Sequence, residues 1–304
     1  MKYVLKIMVA LALAGAAWAQ LPPASPQGVT ENATMRVSEH VYAIIGFPNI
    51  AIVMGRRAML VVDTGMGVRN GTVVVREAQK LGHPPLFYLT TTHFHPEHAM
   101  GEQAFPPNTM LIRPAAQQEE LDKRGAEYID RFSKQSAENR ELLKGVKLRK
   151  PDILFDKEAR LDLGGVTARL LWMGPAHTIG DELIFVEGDK TLISGDIVQS
   201  KQIPFIPNSD SSVKNWLAIL DQLAPLSPRF VVPDHGPLGD GSLIAQEKTF
   251  LSAFRKRALE LNRQGTTVDQ AAQVLTGEFK AKYPDWENLS AVPNLVRRIY
   301  EEGE

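Results

Sequence analysis

The sequence predicts an α/β protein with a helical C-terminal end. Short runs rich in Val, Ile and Ala alternate with turn residues in the first third of the chain and again after residue 158. One stretch with helical spacing lies between two of these runs, which indicates a strand, a helix and a second, parallel strand. From Ser242 the spacing is helical almost to the end of the 304 residues.

The first 19 residues resemble a secretory signal peptide. Two early lysines precede the apolar run from Ile7 to Ala17, and a small-residue Ala-Trp-Ala site follows. The alternative, an uncleaved anchor, is disfavoured because the run is shorter than the roughly 20 residues that span a bilayer. We therefore expect cleavage after Ala19, no membrane anchor in the mature chain and a periplasmic or secreted protein. Residues 20–33, rich in Pro and Gly, are expected to form a flexible lead.

Composition excludes several kinds of partner and site. The formal net charge is −1, and loss of Lys2 and Lys6 with the leader makes it −3. This balance favours a small-molecule substrate and gives no reason to expect nucleic acid. The chain has no cysteine, which excludes disulfides, thiolate metal ligands and a cysteine nucleophile. Nothing in the composition predicts the oligomeric state.

The remaining elements follow in order along the chain. Strands are predicted at 41–46, 50–55, 58–65, 85–93, 159–165, 166–174, 182–188, 190–198 and 229–233, and helices at 69–83, 212–223 and from 242 onward, with an interruption at 283–286. The charged segment 115–150 has helical spacing and predicts a helix pair. A solvated surface insertion is the favoured interpretation of that pair, and a lid over a functional site is the alternative.

Three of the seven histidines lie within six positions, in the stretch HFHPEH. His93 and His95 follow a strand, where residues two apart point the same way and can face one ion. Glu97 and His98 fall in the next turn and can face a second ion. Histidine with carboxylate suits zinc, manganese or iron better than calcium or magnesium. A polar surface turn is the alternative.

Two later histidines and one aspartate also follow predicted strands. His177 and His235 lie in small-residue turns, and Asp196 ends an apolar strand, where a carboxylate without a cation or donors would be costly. Each alone is more often an ordinary polar residue, but together with the cluster they favour a metal site. His40 and His83 lie outside this pattern and are interpreted as structural or solvent-facing.

In this order the motifs VVDTG, THFHPEH, GPAHT, SGDIV and PDHG resemble the metallo-β-lactamase superfamily. The resemblance implies a four-layer αβ/βα sandwich with a two-metal site at one edge of the paired sheets. It places the family domain at residues 34–264 and leaves 265–304 as a C-terminal helical extension.

The resemblance also implies a ligand set and two divalent ions, with zinc expected first and iron or manganese as alternatives. His93, His95 and His177 would hold one ion, and Asp196 would bridge to a second. Glu97, His98 and His235 would hold that second ion. Asp63 would support the metal loop from behind. A bridging aspartate is closest to the glyoxalase II and lactonase branches.

The chain departs from the family pattern at one ligand, because Glu97 stands where the family has aspartate. The additional methylene displaces the carboxylate by about 1.5 Å, whereas metal sites tolerate errors of about 0.2 Å. Occupancy of the second site is therefore the least secure part of the resemblance.

The activity implied is hydrolysis, in which a hydroxide held between the ions attacks an activated carbonyl of a lactone, ester, thioester or β-lactam. Glu97 and Asp196 would be the catalytic carboxylates, with Glu97 carrying the proton. Phe47, Phe205 and Ile206 either line an apolar substrate wall or only pack their loops. The alternatives are a β-lactamase proper, an iron-dependent redox enzyme and a non-catalytic binding module on the same fold.

Overall fold

The computed structural model describes residues 28–206 and 210–304, and all structural statements below refer to these. The predicted signal peptide and the first part of the predicted lead lie outside them. At residues 28–33 the chain runs along the first long helix, where the backbone N–H of Val29 donates to Asn70 and that of Asn32 donates to Glu77.

Within the described residues, seven strands form one sheet in sequence order. They are β1 (Thr34–Arg36), β2 (Val41–Ile44), β3 (Ile50–Met54), β4 (Ala58–Val62), β5 (Leu86–Thr90), β6 (Met110–Pro114) and β7 (Ile153–Phe155). The strands β1 to β4 pair antiparallel, and β4 to β7 pair parallel. The sequence did not predict β1, β6 or β7, which have three, five and three residues.

The second sheet described has five strands in the order β12-β11-β10-β9-β8. Its strands are β8 (Glu158–Asp162), β9 (Thr167–Trp172), β10 (Glu182–Val186), β11 (Thr191–Gly195) and β12 (Phe230–Pro233). Only β11 and β12 pair parallel. All of these strands were predicted.

The helices flank the two sheets. They are α1 (Gly67–Leu81), α2 (Pro96–Ala99), α3 (Ala115–Ser133), α4 (Ala137–Leu142), α5 (Val213–Leu223), α6 (Ser242–Arg263), α7 (Val268–Lys282) and α8 (Val292–Glu302). Hydroxyl caps mark three helix starts: Ser136 accepts from Asn139 N at α4, Ser212 accepts from Asn215 N at α5, and Thr267 forms a reciprocal capping box with Gln270 at α7.

Three hydrophobic clusters separate four layers. Side chains of β2 to β4 meet those of β9 to β12 between the sheets, as with Leu60 and Ile184. Val74 and Ala78 of α1 cover the outer face of the first sheet. The helices α5 to α8 cover the outer face of the second sheet around Trp216. The predicted four-layer sandwich with C-terminal helices is therefore confirmed.

The helix pair α3 and α4 is more than a solvated insertion. Its outer residues are exposed, but Leu121, Tyr128 and Leu142 are buried with Phe94 and Met100 of the histidine-rich loop. The prediction of a solvated surface insertion was wrong for this inner face. The charged residues of the outer face dominate the composition of this segment. The apolar residues of the inner face recur about once per helical turn and form a narrow stripe that the composition does not reveal.

The segment 265–304 contributes α7 and α8 to the same hydrophobic cluster as α5 and α6. The division of the chain at residue 264 stays a prediction. Across the described ranges, no helix has both the length and the apolar composition needed to span a bilayer.

Candidate metal centre

The predicted ligands meet at one edge of the two sheets. His93 and His95 follow β5, and Glu97 and His98 lie in α2. The other three come from the second sheet: His177 from the β9–β10 connection, Asp196 directly after β11, and His235 two residues after the end of β12. Parallel strands end at the same side of a sheet, so strand-end residues far apart in sequence converge there.

Three imidazoles form the first group. Nε2 of His93 lies 3.0 Å from Nδ1 of His95, which lies 3.3 Å from Nε2 of His177. The His177 ring is oriented by the carbonyl of Phe205, which accepts from Nδ1 at 2.8 Å and leaves Nε2 with a lone pair facing the group. Burial holds the pKa of all three imidazoles below their usual value, so they are neutral and able to act as ligands.

Glu97, His98 and His235 form the second group. One potential ligand atom of each lies within 4.8 Å of the other two. In the described residues, Glu97 Oε2, His98 Nε2 and His235 Nδ1 have no hydrogen-bond partner although they are buried. Glu97 therefore reaches this group despite its additional methylene.

Asp196 lies between the two groups. One of its carboxylate oxygens is 3.3 Å from His177 Nε2, and the other is 3.3 Å from His235 Nε2. Burial would raise the pKa of Asp196, but His235 and His177 outweigh burial and the pKa falls below its usual value. The carboxylate is thus ionised and has one oxygen directed to each group, as a bridging ligand requires.

These residues fit a pair of divalent cations. Buried imidazole and carboxylate atoms without partners are costly, and a cation between them satisfies several at once. The donor set contains nitrogen and oxygen and no sulfur, which suits zinc, manganese or iron.

Asp63 supports the loop that carries His93 and His98. Its Oδ1 accepts from the Thr92 backbone N–H at 2.7 Å, and its Oδ2 lies 3.0 Å from His98 Nδ1. It adopts the left-handed region, with φ 73°, a conformation that a non-glycine residue adopts only when its surroundings impose it. This is the supporting position that the resemblance implied.

Asp234 is a site residue that the sequence reasoning missed. Its Oδ2 lies 3.2 Å from His98 Nδ1 and accepts from the Thr92 hydroxyl at 2.8 Å. Burial and the neighbouring Asp63 raise the pKa of Asp234 to about 7. Burial alone would lower the pKa of His98, but Asp63 and Asp234 raise it well above its usual value. Both carboxylates face Nδ1 and hold a proton there, so a bound cation would take the place of the proton on Nε2.

The sequence reasoning also missed two carboxylates that accept hydrogen bonds from the backbone of the His177 loop. Asp181 accepts from the backbone N–H groups of Ala176 and Thr178, and Glu120 of α3 accepts from those of Ile179 and Gly180.

Gln117, fully buried on α3, links the loop that carries His93 to the loop that carries His177. Its amide donates to the carbonyls of Thr91 and Gly180 at 2.8 and 3.0 Å. Gly180 is required at that contact, because a Cβ there would lie 2.2 Å from the Gln117 Cα.

The three predicted pocket residues differ in position. The Phe47 ring lies 4.1 Å from that of His235, so it borders the centre. Phe205 contributes its carbonyl to His177, and its ring is 6.3 Å away. Ile206 is buried in the core beneath the second sheet, which favours the packing interpretation for this residue.

The two remaining histidines lie elsewhere. His40 pairs with Asp189 at 2.8 Å, and His83 is exposed. Both therefore lie outside the metal centre.

Tyr128 of α3 covers the first group. Its ring stacks on His95 at 4.9 Å with the planes 13° apart. The composition of α3 gave no sign of this contact, although the helical spacing of Leu121, Tyr128 and Phe132 marks the face that makes it.

Comparison with known proteins agrees with this geometry. The family profile described as the metallo-beta-lactamase superfamily matches residues 45–235, which include every proposed ligand. The chain belongs to this superfamily. The range ends at His235, so the family match precedes the C-terminal helices.

Two curated members of the superfamily are similar in sequence. The linear primary-alkylsulfatase of Pseudomonas sp. (strain ATCC 19151) is 21% identical over 281 residues, 80% of this chain and 53% of its own length. The type 2 metallo-beta-lactamase of Bacteroides fragilis is 27% identical over 136 residues, 43% of this chain and 55% of its own length. The aligned part thus spans about half the length of each relative.

Solved structures show the same fold. The stereoselective inverting sec-alkylsulfatase Pisa1 from Pseudomonas sp. has a TM-score of 0.69 at 15% identity and covers 89% of this chain and 50% of that one. A metallo-beta-lactamase from Pontibacter korlensis has a TM-score of 0.59 at 18% identity and covers 72% and 98%. Both the superfamily and the fold predicted from the sequence are confirmed, as is membership of a family of hydrolases. The placement in a glyoxalase II or lactonase branch stays a prediction.

Proposed function

We propose that this chain is an exported dinuclear metallohydrolase, with zinc as its metal, that cleaves an activated carbonyl compound such as a lactone, ester, thioester or β-lactam. The observation that carries the proposal is the position of Asp196, which directs one oxygen toward each of two groups of buried ligand atoms.

The ligand assignment follows the two groups. His93, His95 and His177 would hold the first ion, and Glu97, His98 and His235 the second, with Asp196 shared between them. When bound, the ions supply a hydroxide near neutral pH and polarise the scissile bond.

Glu97 is the proposed proton carrier. Burial raises the pKa of its carboxyl group to about 7, against the opposing effect of His98. A bound cation would lower this pKa, so the proposed role in proton transfer rests on the position of the carboxylate in the centre.

The test is metal analysis combined with a hydrolysis screen. The mature protein, loaded with zinc, would be assayed on lactams, lactones, thioesters, carboxylic esters and phosphoesters. We expect two zinc ions per chain, activity on one carbonyl class, and its loss in His95→Ala. His83→Ala, which changes an exposed histidine outside the centre, is the matched control. Activity that survives in His95→Ala would reject this site. Bound iron with oxygen or persulfide turnover and no hydrolysis would favour the redox alternative.

Sulfate ester hydrolysis is a second candidate. The alkylsulfatase match extends over 80% of this chain, whereas the beta-lactamase match extends over 43%. Primary and secondary alkyl sulfates therefore belong in the same screen. Turnover of an alkyl sulfate without turnover of any carbonyl substrate would replace the carbonyl assignment and keep the metal centre.

Export is proposed from the leader-like residues 1–19 alone. Sequencing the N-terminus of protein recovered from a secretion-competent host would test it. A mature chain that begins at Gln20 in the periplasmic or extracellular fraction is expected, and an intact N-terminus in the cytosol would contradict it.

A further inference from the structure

A cavity lies between α5 and α6, two helices that carry none of the proposed metal ligands. Its volume is about 370 Å³, within the roughly 300–1,000 Å³ of small-molecule sites. Leu217 of α5, five residues of α6 and Glu304 line it. We call this space the α5–α6 cavity. It is a second concave site, separate from the metal centre.

Two leucines give the cavity an apolar surface. Leu259 of α6 is only 8% exposed and belongs to the hydrophobic cluster of the C-terminal helices, and Leu217 packs against that cluster. Arg255 precedes Leu259 by four residues and therefore lies on the same face of α6. The methylene groups of long cationic side chains extend an apolar surface of this kind, while their charged ends stay in water. The cavity therefore offers an alkyl chain a place out of water.

Three cations border the same cavity, and one carboxylate opposes them. Among the described residues, the ammonium group of Lys256 has no hydrogen-bond or ion-pair partner. Arg255 donates from Nη2 to the Gly303 carbonyl at 2.7 Å and makes no ion pair with a described residue. Arg263 pairs with Glu304 at 2.5 Å, but both side chains are more than half exposed, and exposed pairs contribute little. The cavity is therefore electropositive.

We propose that the α5–α6 cavity binds a single-chain amphiphilic anion, with its alkyl chain on Leu217 and Leu259 and its oxyanion at Arg255 and Lys256. Either part alone fits worse, because a neutral chain leaves the cations without a partner and a small anion leaves the leucines in water. Carboxylate and sulfate head groups share the chemistry that guanidinium and ammonium groups recognise. The inference goes beyond the proposed function, because no step of it involves the metal centre.

Other occupants give different results. A second copy of the chain that covers this apolar surface makes the protein a dimer. A neutral amphiphile binds without regard to charge. A general electrostatic field responds equally to any cation of α6. Arg257 separates this last case, because it neighbours Lys256 in sequence but pairs with Glu278 at 2.8 Å and does not line the cavity.

The test is methyl NMR on the zinc-loaded protein, which reports binding at the cavity itself. Leucine methyl groups are labelled with ¹³C, and the signals of Leu217 and Leu259 are assigned from Leu217→Met and Leu259→Met. The probes are octanoate and octyl sulfate, with octyl glucoside as the neutral analogue and acetate as the anion without a chain, each used below the concentration at which micelles form.

We expect both octyl anions to shift the two leucine signals saturably, and the two analogues to need at least about tenfold higher concentrations. Hexanoate should bind about tenfold more weakly than octanoate, because two fewer methylenes are buried. The tighter of the two octyl anions identifies the head group.

Removal of charge within the cavity is the second part of the test. Lys256→Gln should weaken octanoate binding about threefold, and Arg255→Gln/Lys256→Gln about tenfold. Lys256→Arg should keep the affinity within about twofold, as should Arg257→Gln, the matched control. Circular dichroism and zinc content check that each variant is folded.

Three results would overturn the inference. Octyl glucoside that shifts both signals as octanoate does would leave only an apolar cavity. An equal loss of affinity in Arg257→Gln would attribute the effect to the general charge of α6. Signals that no probe shifts would reject the site, and a dimer in light scattering would then assign the surface to a second copy of the chain.

Discussion

Shortening Glu97 to aspartate tests the one ligand at which this chain departs from its family. Glu97→Asp introduces the residue that the family pattern carries, without changing charge or ligand type. The backbone of α2 nevertheless places this carboxylate for the longer side chain, because the Glu97 ligand atom is within 4.8 Å of those of His98 and His235. We expect the variant to lose the second ion and keep the first.

The magnitude follows from the ligand distances. Two ligands of one tetrahedral zinc ion, each about 2.0–2.2 Å from it, are about 3.3–3.6 Å apart. The three ligand atoms lie within 4.8 Å of one another, so the Glu97 carboxylate has no length to spare in reaching a shared ion. Removing the methylene withdraws the carboxylate by about 1.5 Å, several times the tolerance of about 0.2 Å for a metal ligand. Since loss of a supporting contact alone costs 10- to 100-fold in metal affinity, losing this ligand should cost at least about 100-fold.

Zinc titration in competition with a chromophoric chelator measures the two sites separately. Wild type should bind two ions per chain, and Glu97→Asp should bind one tightly and the other at least 100-fold more weakly. Glu119→Asp makes the same chemical change at an exposed residue of α3 and should behave as wild type. If Glu97→Asp binds both ions with wild-type affinity, the backbone adapts freely, and the geometric argument for Glu97 is refuted.

Three further predictions concern residues around the centre. Asp234→Asn should weaken binding of the second ion by about 10- to 100-fold, measured in the same titration, because His98 loses a carboxylate partner. Gln117→Leu should lower the free energy of unfolding by about 2 kcal/mol or more, since two buried carbonyls lose their donor, whereas Gln222→Leu at an exposed position should not. Burial raises the pKa of Glu120 from 4.5 to about 7, so the wild-type free energy of unfolding should fall by about 2–3 kcal/mol as pH rises between those values. Glu120→Gln should remove that fall in pH-dependent denaturation, and an equal slope in both proteins would contradict the assignment.

The sequence predicts the second sheet better than the first for a physical reason. Every strand of the second sheet contains a run of alternating or continuous apolar residues, and each was predicted. Of the missed strands, β1 and β7 have three residues each and lie at the edges of their sheet. The missed β6 has five residues, as β5 does, and its apolar run at Met110–Ile112 was a signal that the sequence contained. Leu154 of β7 is 53% exposed, so this strand owes its position to pairing with β6 and lacks the apolar pattern of a buried strand.

The ligands could be predicted because each follows a strand, and strand ends converge in an α/β fold. The same reasoning applies to Asp234, which directly follows the apolar strand β12, as Asp196 follows β11. A carboxylate at such a position is costly without donors or a cation, and this signal was present in the sequence for both residues. The two adjacent side chains have different partners, because Asp234 contacts His98 and His235 contacts Asp196.

The role of α3 could not be predicted in this way, because its contacts depend on tertiary packing. Gln117 and Tyr128 lie on a helix whose composition is that of a solvated surface. Their contacts form only when this helix packs across the ends of the two sheets, where Gln117 donates to the carbonyls of Thr91 and Gly180 and Tyr128 stacks on His95. In a metal site assembled from loops of both sheets, the distances between ligands depend on the element that fixes the loops relative to one another. The type of a ligand can be recognised from a motif, whereas the residues that hold it in place are set by how a particular chain packs around the motif.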